Sequence, residues 1–269
     1  MERKIYLVDA FAHAPFTGNP AGVCPLESEP DAAWMQSVAM EMNQAETAFF
    51  WPQGDSYGLR WFTPAVEVDL CGHATLASAH VLFETGMLSH DRSARFQTLS
   101  GELVCTKTDG GIEMDFPNEM PELDDRFSVG EALGTEPIWF GSNRMDWFFV
   151  LESEEAVRSL CPNMQAIGEL GKRGVIVTAQ TNSVPESGEP TDADFVSRFF
   201  APAAGVLEDP VTGSAHCALG PFWSHRLGKQ TVRGFQASKR GGFVDVTVNE
   251  RRVTLGGRAK TVVVGTLRV

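Results

Sequence analysis

Two segments of the chain decide the fold, because they repeat one pattern: FTPAVEVDLCGHATLASAH over residues 62–80 and FAPAAGVLEDPVTGSAHCALG over residues 200–220. Each segment reads as the end of a strand, a turn marked by proline, a loop and a helix that opens on a glycine. The opening glycines are Gly72 and Gly213, and a further glycine follows each helical stretch. The repetition predicts that the chain is a duplication.

The sequence around the two segments supports the same interpretation. In each half an amphipathic helix and a short strand precede the segment, and strands punctuated by glycine follow it. The predicted helices span residues 31–42 and 154–170, the short strands 47–51 and 175–179, and the later hairpins 96–116 and 231–255. Chance recurrence of strand, turn and helix is the alternative. We predict an α+β fold of two similar halves with a ligand in the cleft between them, since domain interfaces often hold pockets.

Composition limits the class of protein. The chain has 269 residues, of which 43% are hydrophobic, enough for one large domain or two of ordinary size. The formal charge is −13 and Lys and Arg form no stripe that could follow phosphates, so we expect no nucleic-acid partner. No stretch approaches the roughly 20 apolar residues of a membrane helix, which predicts a cytoplasmic protein without membrane contact. Five cysteines without a CxxC pair predict neither a disulfide framework nor a metal site.

The two glycine-opened helices each offer free backbone N–H groups at the positive end of a helix dipole. Such a terminus can hold a carboxylate or stabilise an enolate oxygen, and glycine lets the backbone approach the ligand closely. Because the feature recurs in both halves, we predict a substrate-binding role for the residues that open the helices. These are Gly72, His73 and Ala74 in the first half and Gly213, Ser214 and Ala215 in the second.

Two carboxylates are candidates for the chemistry. Glu46 lies between a helix and an apolar strand, where low polarity would raise the pKa of its carboxyl group, as a proton-shuttling group requires. A solvated glutamate at a strand end is the alternative. Asp209 precedes Pro210, which biases it toward an extended conformation ahead of the second helix. It is a site residue or only a helix cap, and Thr212 and Ser214 are nearer candidates for the cap.

Several motifs in fixed order carry a resemblance to a known family. They are VDAF with FTGNPAGV within residues 8–23, NQAETAF at 43–49, RWFTP with EVDLCGHAT within 60–75, and EDPVTGSA at 208–215. The set resembles the signature of the PhzF-like proteins of phenazine biosynthesis. Ordered motifs are far more specific than any one of them.

This resemblance implies the diaminopimelate-epimerase-like fold, in which each of two pseudo-symmetric halves is a mixed or antiparallel sheet wrapped around a central helix. It implies halves at residues 1–117 and 118–257, with a last strand at about 258–269 that returns to the first half. A homodimer is implied as well.

The resemblance also implies an activity. It is that of a cofactor-independent isomerase that moves a proton within a small unsaturated carboxylic acid, as the family's characterised member does with a dihydro-hydroxyanthranilate. Glu46 would be the general acid and base, supported by His73 and Asp209. Ser214 and the backbone of Gly72 and Gly213 would hold the substrate, and neither a metal nor an organic cofactor is expected.

Departures from the family pattern leave alternatives open. Ala45 stands where many relatives carry a serine before the catalytic glutamate, so the substrate is not defined. Cys71 stands where thiol-dependent epimerases of this fold carry one of two cysteines, which makes a thiol-dependent epimerase or racemase the alternative. The nearest second thiol, Cys217, falls inside the predicted helix. A catalytically idle small-molecule-binding protein is the third hypothesis, because a fold does not determine a function.

Overall fold

The structure, a computed structural model, describes residues 2–124, 130–181 and 192–268. The strands of these residues are β1 Glu2–Ala10, β2 Asn19–Pro25, β3 Glu46–Gln53, β4 Ser56–Phe62, β5 Glu67–Val68, β6 Ala94–Thr98, β7 Gly101–Thr108, β8 Gly111–Pro117, β9 Glu122–Leu123, β10 Trp139–Ser142, β11 Asp146–Val150, β12 Gly174–Gln180, β13 Phe195–Phe200, β14 Thr231–Gln236, β15 Gly242–Asn249, β16 Arg252–Gly257 and β17 Ala259–Arg268. Their helices are α1 Ala32–Met42, α2 Gly72–Glu84, α3 Gly130–Leu133, α4 Glu154–Ser159, α5 Met164–Gly168 and α6 Gly213–Leu227, with a 3₁₀ turn at Pro202–Ala204.

The chain divides into two structural units. Unit 1 is Met1–Asp115 with Gly256–Val269, and unit 2 is Phe116–Leu255. In unit 1, β17 pairs antiparallel with β1 along the whole length of both strands. Residue 269, which the predicted last strand includes, lies outside the described residues.

Both units repeat one order of strand pairing. In unit 1, β1 pairs antiparallel with β2, β2 parallel with β3, β3 antiparallel with β4, β4 parallel with β6, and β6 antiparallel with β7. In unit 2, the pairs β10–β11, β11–β12, β12–β13, β13–β14 and β14–β15 have the same five senses in the same order. This agreement confirms the prediction of an α+β fold with two pseudo-symmetric halves.

Each unit has one buried helix at its centre. Helix α2 is buried along most of its length, with small and apolar residues in the majority, and it packs on β1, β2 and β3. Helix α6 packs on β14 and β15 in the same way. Its contact with β15 is so close that a methyl group at Gly220 would lie 2.2 Å from Val246 Cγ1. Each sheet therefore wraps around a central helix.

Helix α6 tolerates a proline in its interior. Pro221 has no N–H to donate, so the carbonyl of Cys217, four residues earlier, lacks its helical donor. The backbone N–H of Glu119 donates to that carbonyl at 3.0 Å instead. The helix consequently continues to Leu227, where Gly228 caps it in the left-handed conformation with φ of 65°.

The predicted helix over residues 154–170 is wrong in its length. The structure has two short helices there, α4 capped by Ser153 and α5 capped by Asn163. Pro162 lies between them, and a proline both removes a backbone donor and disfavours helical geometry in the residue before it. None of the helices in the described part of the chain is long and apolar enough to cross a membrane.

Candidate active site

Glu46, Cys71 and His73 converge in unit 1. Glu46 is the first residue of β3 and lies opposite Ala21 in the parallel pairing with β2. Cys71 is the N-cap residue of α2, and His73 lies in the first turn of that helix. The Oε2 atom of Glu46 is 3.3 Å from Nε2 of His73, although within the described residues it accepts no hydrogen bond of good geometry. The contact is therefore one of charge and proximity.

Asn19 sets the orientation of the His73 ring. It is the first residue of β2, is fully buried, and its side-chain Nδ2 lies 3.4 Å from Nδ1 of His73. Because the Asn19 amide nitrogen can only donate, Nδ1 is the acceptor and the ring proton is carried by Nε2, which faces Glu46. The Cys71 sulfur lies 3.5 Å from the same Nδ1. The sequence motif that contains Asn19 was recognised, but a site role for this residue was not predicted.

Burial controls the charge of Glu46. Its side chain is only 20% exposed, and removal from water raises the pKa of the Glu46 carboxyl from 4.5 to about 7. A hydrogen bond from the Cys71 thiol opposes this rise in part. The carboxyl group can thus both release and accept a proton near neutral pH.

The same three residues are the group of potential metal ligands that the described part of the chain offers. One ligand atom from each of Glu46, Cys71 and His73 lies within 4.8 Å of the others. Carboxylate, thiolate and imidazole are all ligands that zinc accepts. The sequence predicts that no metal is bound, and elemental analysis of the purified protein tests that prediction.

Helix α2 opens toward this cluster without a side-chain cap. Its first helical hydrogen bond joins Thr75 N to Cys71 O at 3.1 Å, so the N–H groups of Gly72, His73 and Ala74 precede the hydrogen-bonded ladder. These are the backbone donors that the sequence predicts for unit 1. The His73 side chain, in the same helical turn, contacts the carboxyl group of Glu46.

The N-terminus of α6 in unit 2 has a different environment. Its N-cap, Thr212, makes no side-chain cap bond and instead donates its hydroxyl to Oδ2 of Asp209 at 2.5 Å. The buried Gln236 accepts from Thr212 N at 2.8 Å and donates to the Asp209 carbonyl at 2.7 Å. Asp209 is therefore not the N-cap of α6, and its carboxylate is held against Thr212, the residue before Gly213.

Ser214 is part of an ion-pair cluster that sequence reasoning missed. Arg173 Nη1 donates to Ser214 Oγ at 3.0 Å, while its Nε and Nη2 donate to the two carboxylate oxygens of Asp146 at 2.9 and 2.5 Å. Asp146 is completely buried. The sequence signal for this cluster is the aspartate at the start of the apolar strand DWFFV. A carboxylate that is buried with such a strand needs a charged partner.

Thr75 and His216 have equivalent places in the two units. Each stands four residues after its N-cap and donates to the cap carbonyl: Thr75 Oγ1 to Cys71 O at 2.6 Å, and His216 Nδ1 to Thr212 O at 2.8 Å. Burial lowers the pKa of His216 to about 4, so its ring is neutral. His216 is thus a structural residue.

The comparisons with known proteins agree with this fold. A family model described as phenazine biosynthesis-like protein matches residues 8–265. A protein of Halalkalibacterium halodurans named an uncharacterized isomerase is 47% identical over 97% of both chains, and the human phenazine biosynthesis-like domain-containing protein is 40% identical over 99% of both. The crystal structure of a PhzF family protein of Enterococcus faecalis covers 100% of both chains, with 44% identity and a TM-score of 0.93. A hydroxyproline epimerase of Agrobacterium vitis, 13% identical over 99% of this chain and 92% of its own, has a TM-score of 0.62 and so shares the fold alone.

Proposed function

The chain belongs to the phenazine biosynthesis-like (PhzC-PhzF) family and is an isomerase, and from this premise we propose that Glu46 moves a proton within a small unsaturated carboxylic acid. The observation that carries the proposal is the buried carboxyl group of Glu46, whose pKa of about 7 matches a group that must act as both acid and base. A glutamate of ordinary pKa would be a weaker base and would rarely hold the proton that it has to return.

His73 supports the carboxyl group through its position. With the ring proton on Nε2, the imidazole presents a positive edge 3.3 Å from Oε2 of Glu46. This stabilises the carboxylate that forms when Glu46 gives up its proton. Asn19 holds the ring in that orientation.

The substrate carboxylate is assigned to backbone donors. The N–H groups of Gly72, His73 and Ala74 open α2 beside Glu46, where an anion and a developing enolate oxygen are both stabilised. Ser214 and Asp209 are the substrate contacts proposed for unit 2, as the sequence predicts. Ala45 offers no hydroxyl, so the substrate lacks a contact that a serine at this position would provide.

The test is the exchange of solvent deuterium into a dihydro-hydroxyanthranilate, followed by NMR. We expect Glu46→Gln to lower the exchange rate by about a hundred- to ten-thousand-fold, because glutamine keeps the shape of glutamate but cannot carry a proton. Cys71→Ser should retain most of the activity. His73→Ala should lower kcat, because it removes the imidazole beside the Glu46 carboxyl group and leaves the backbone N–H donors of α2 in place.

The thiol-dependent alternative has one observation in its favour. The sulfur of Cys71 lies 3.5 Å from Nδ1 of His73, within reach of a base. The thiol of Cys217, in contrast, donates to the carbonyl of Gly213 inside α6 at 3.7 Å. Loss of exchange in Cys71→Ser with full exchange in Glu46→Gln would replace the proposed mechanism by this one. An idle binding protein would bind the acid without exchanging any proton.

A further inference from the structure

Ser214 has a hydrogen bond whose direction is settled by chemistry. Its Oγ lies 3.0 Å from Nη1 of Arg173, and a guanidinium group carries donors and no acceptor. Ser214 Oγ must therefore accept. Within the described residues this is the one hydrogen bond of the Ser214 side chain, so the hydroxyl proton is not used by another protein group. The side chain is half-buried at the first turn of α6.

Arg173 is itself rigidly held. Two of its nitrogens bind both oxygens of Asp146, which is completely buried at the start of β11. Its guanidinium also lies over the ring of Phe199, with 5.2 Å between Cζ and the ring centroid. The bidentate pair fixes the plane of the guanidinium, and Phe199 lies against it, so Nη1 is directed at Ser214. Lysine could neutralise Asp146 but could not hold all these directions at once.

Asp146 has a counterpart in unit 1. Asp146 opens β11 as Asn19 opens β2, and both side chains are completely buried. Asn19 contacts His73, the second residue of α2, and Asp146 reaches Ser214, the second residue of α6, through Arg173. Each unit thus fixes the donor direction of the side chain that follows its opening glycine.

We infer that Arg173 is a positioning residue that orients the Ser214 hydroxyl so that its proton is available to an acceptor oxygen of the substrate, a carboxylate or a carbonyl. This inference rests on the proposed function for the assignment of Ser214 as a substrate contact. Arg173 does not itself move a proton.

The experiment is a double-mutant cycle on Arg173→Lys and Ser214→Ala, read by calorimetric binding of anthranilate as a stable carboxylate probe. We expect each single variant to weaken binding on the order of tenfold, the size expected for one lost hydrogen bond. The double variant should bind no more weakly than Ser214→Ala alone, because Arg173 acts only through that hydroxyl. In deuterium exchange the same variants should raise KM and leave kcat nearly unchanged.

The control is Arg233→Lys. Arg233 makes an equivalent bidentate pair with Asp245 and has a side-chain exposure of 36%, against 35% for Arg173, but it has no contact with Ser214 among those that the structure describes. It should bind anthranilate as the wild type does. If Arg173→Lys folds poorly, a second variant combines Asp146→Asn with Arg173→Met. It removes both charges together, so no unpaired buried charge is left. It should show the same loss of anthranilate affinity.

Two results would overturn the inference. One is that Arg173→Lys binds anthranilate with the affinity of the wild type. The other is that the double variant loses affinity by a factor equal to the product of the factors of the two single variants. A wild-type protein that binds no anthranilate would refute the choice of an acceptor oxygen. The proposed function fails by a different result, unchanged deuterium exchange in Glu46→Gln, so the two failures are distinguishable.

Discussion

Glu46→Gln should stabilise the folded protein at alkaline pH. The fold raises the pKa of this carboxyl from 4.5 to about 7, so the folded state prefers the protonated form. The contribution of this group to the free energy of unfolding is therefore fully present below pH 4.5 and is lost as the pH rises through about 7. Glutamine is never charged and does not suffer this loss.

The size of the effect follows from the shift. A change of about 2.5 pKa units at about 1.36 kcal/mol each gives about 3.4 kcal/mol as the upper limit. The side chain is 20% exposed and is partly screened by water, which reduces the expected gain to about 2 kcal/mol. Because the carboxyl group is already partly ionised in the unfolded state at about pH 5, the gain should develop mainly between about pH 5 and pH 8.5.

Urea unfolding at these two pH values measures the gain. The difference in unfolding free energy between variant and wild type should be about 1.5 kcal/mol larger at the higher pH, because about a quarter of the gain is already present at pH 5. The exposed Glu113→Gln on β8 is the control and should change stability by less than about 0.5 kcal/mol. Parallel pH profiles of Glu46→Gln and wild type would refute the reasoning, since the charge of Glu46 would then cost nothing in the fold.

Three further outcomes are expected. Gly220→Ala should destabilise the protein by about 1–3 kcal/mol in urea, because its methyl group would lie 2.2 Å from Val246; Gly110→Ala, with 3.7 Å to the nearest side-chain atom, should not. Elemental analysis and an absorbance spectrum of the purified protein should show no stoichiometric metal and no chromophore, and zinc held by the Glu46 cluster would contradict this. Light scattering should give twice the 29.3 kDa of one chain, and a single-chain mass would contradict the homodimer.

Much of the fold could be predicted because local chemistry decides it. Gly72 and Gly213 are the first residues of buried helices, and Gly228 ends one of them in the left-handed conformation that glycine favours. The interruption of the predicted helix at Pro162 follows from the same local chemistry, but the apolar periodicity continues on both sides of the proline and indicated a single helix. Periodicity reports which face is buried and does not report whether the backbone is continuous.

The candidate site was only partly predictable. Glu46 and His73 were predicted from motifs, but Asn19, Asp146 and Arg173 depend on which residues meet across strands far apart in sequence. Asn19 reaches His73 over 54 positions and Arg173 reaches Ser214 over 41. Such partners follow from strand register, which a single sequence does not contain.

The pairing of β17 with β1 has a consequence for biosynthesis. Unit 2 occupies one continuous stretch, Phe116–Leu255, whereas unit 1 needs residues from both sides of it. During translation β1 leaves the ribosome before unit 2, and its partner strand β17 leaves after unit 2. We therefore expect the second-made unit to mature first, while the nascent β1 edge stays open to chaperones and to other chains until residues 259–268 emerge.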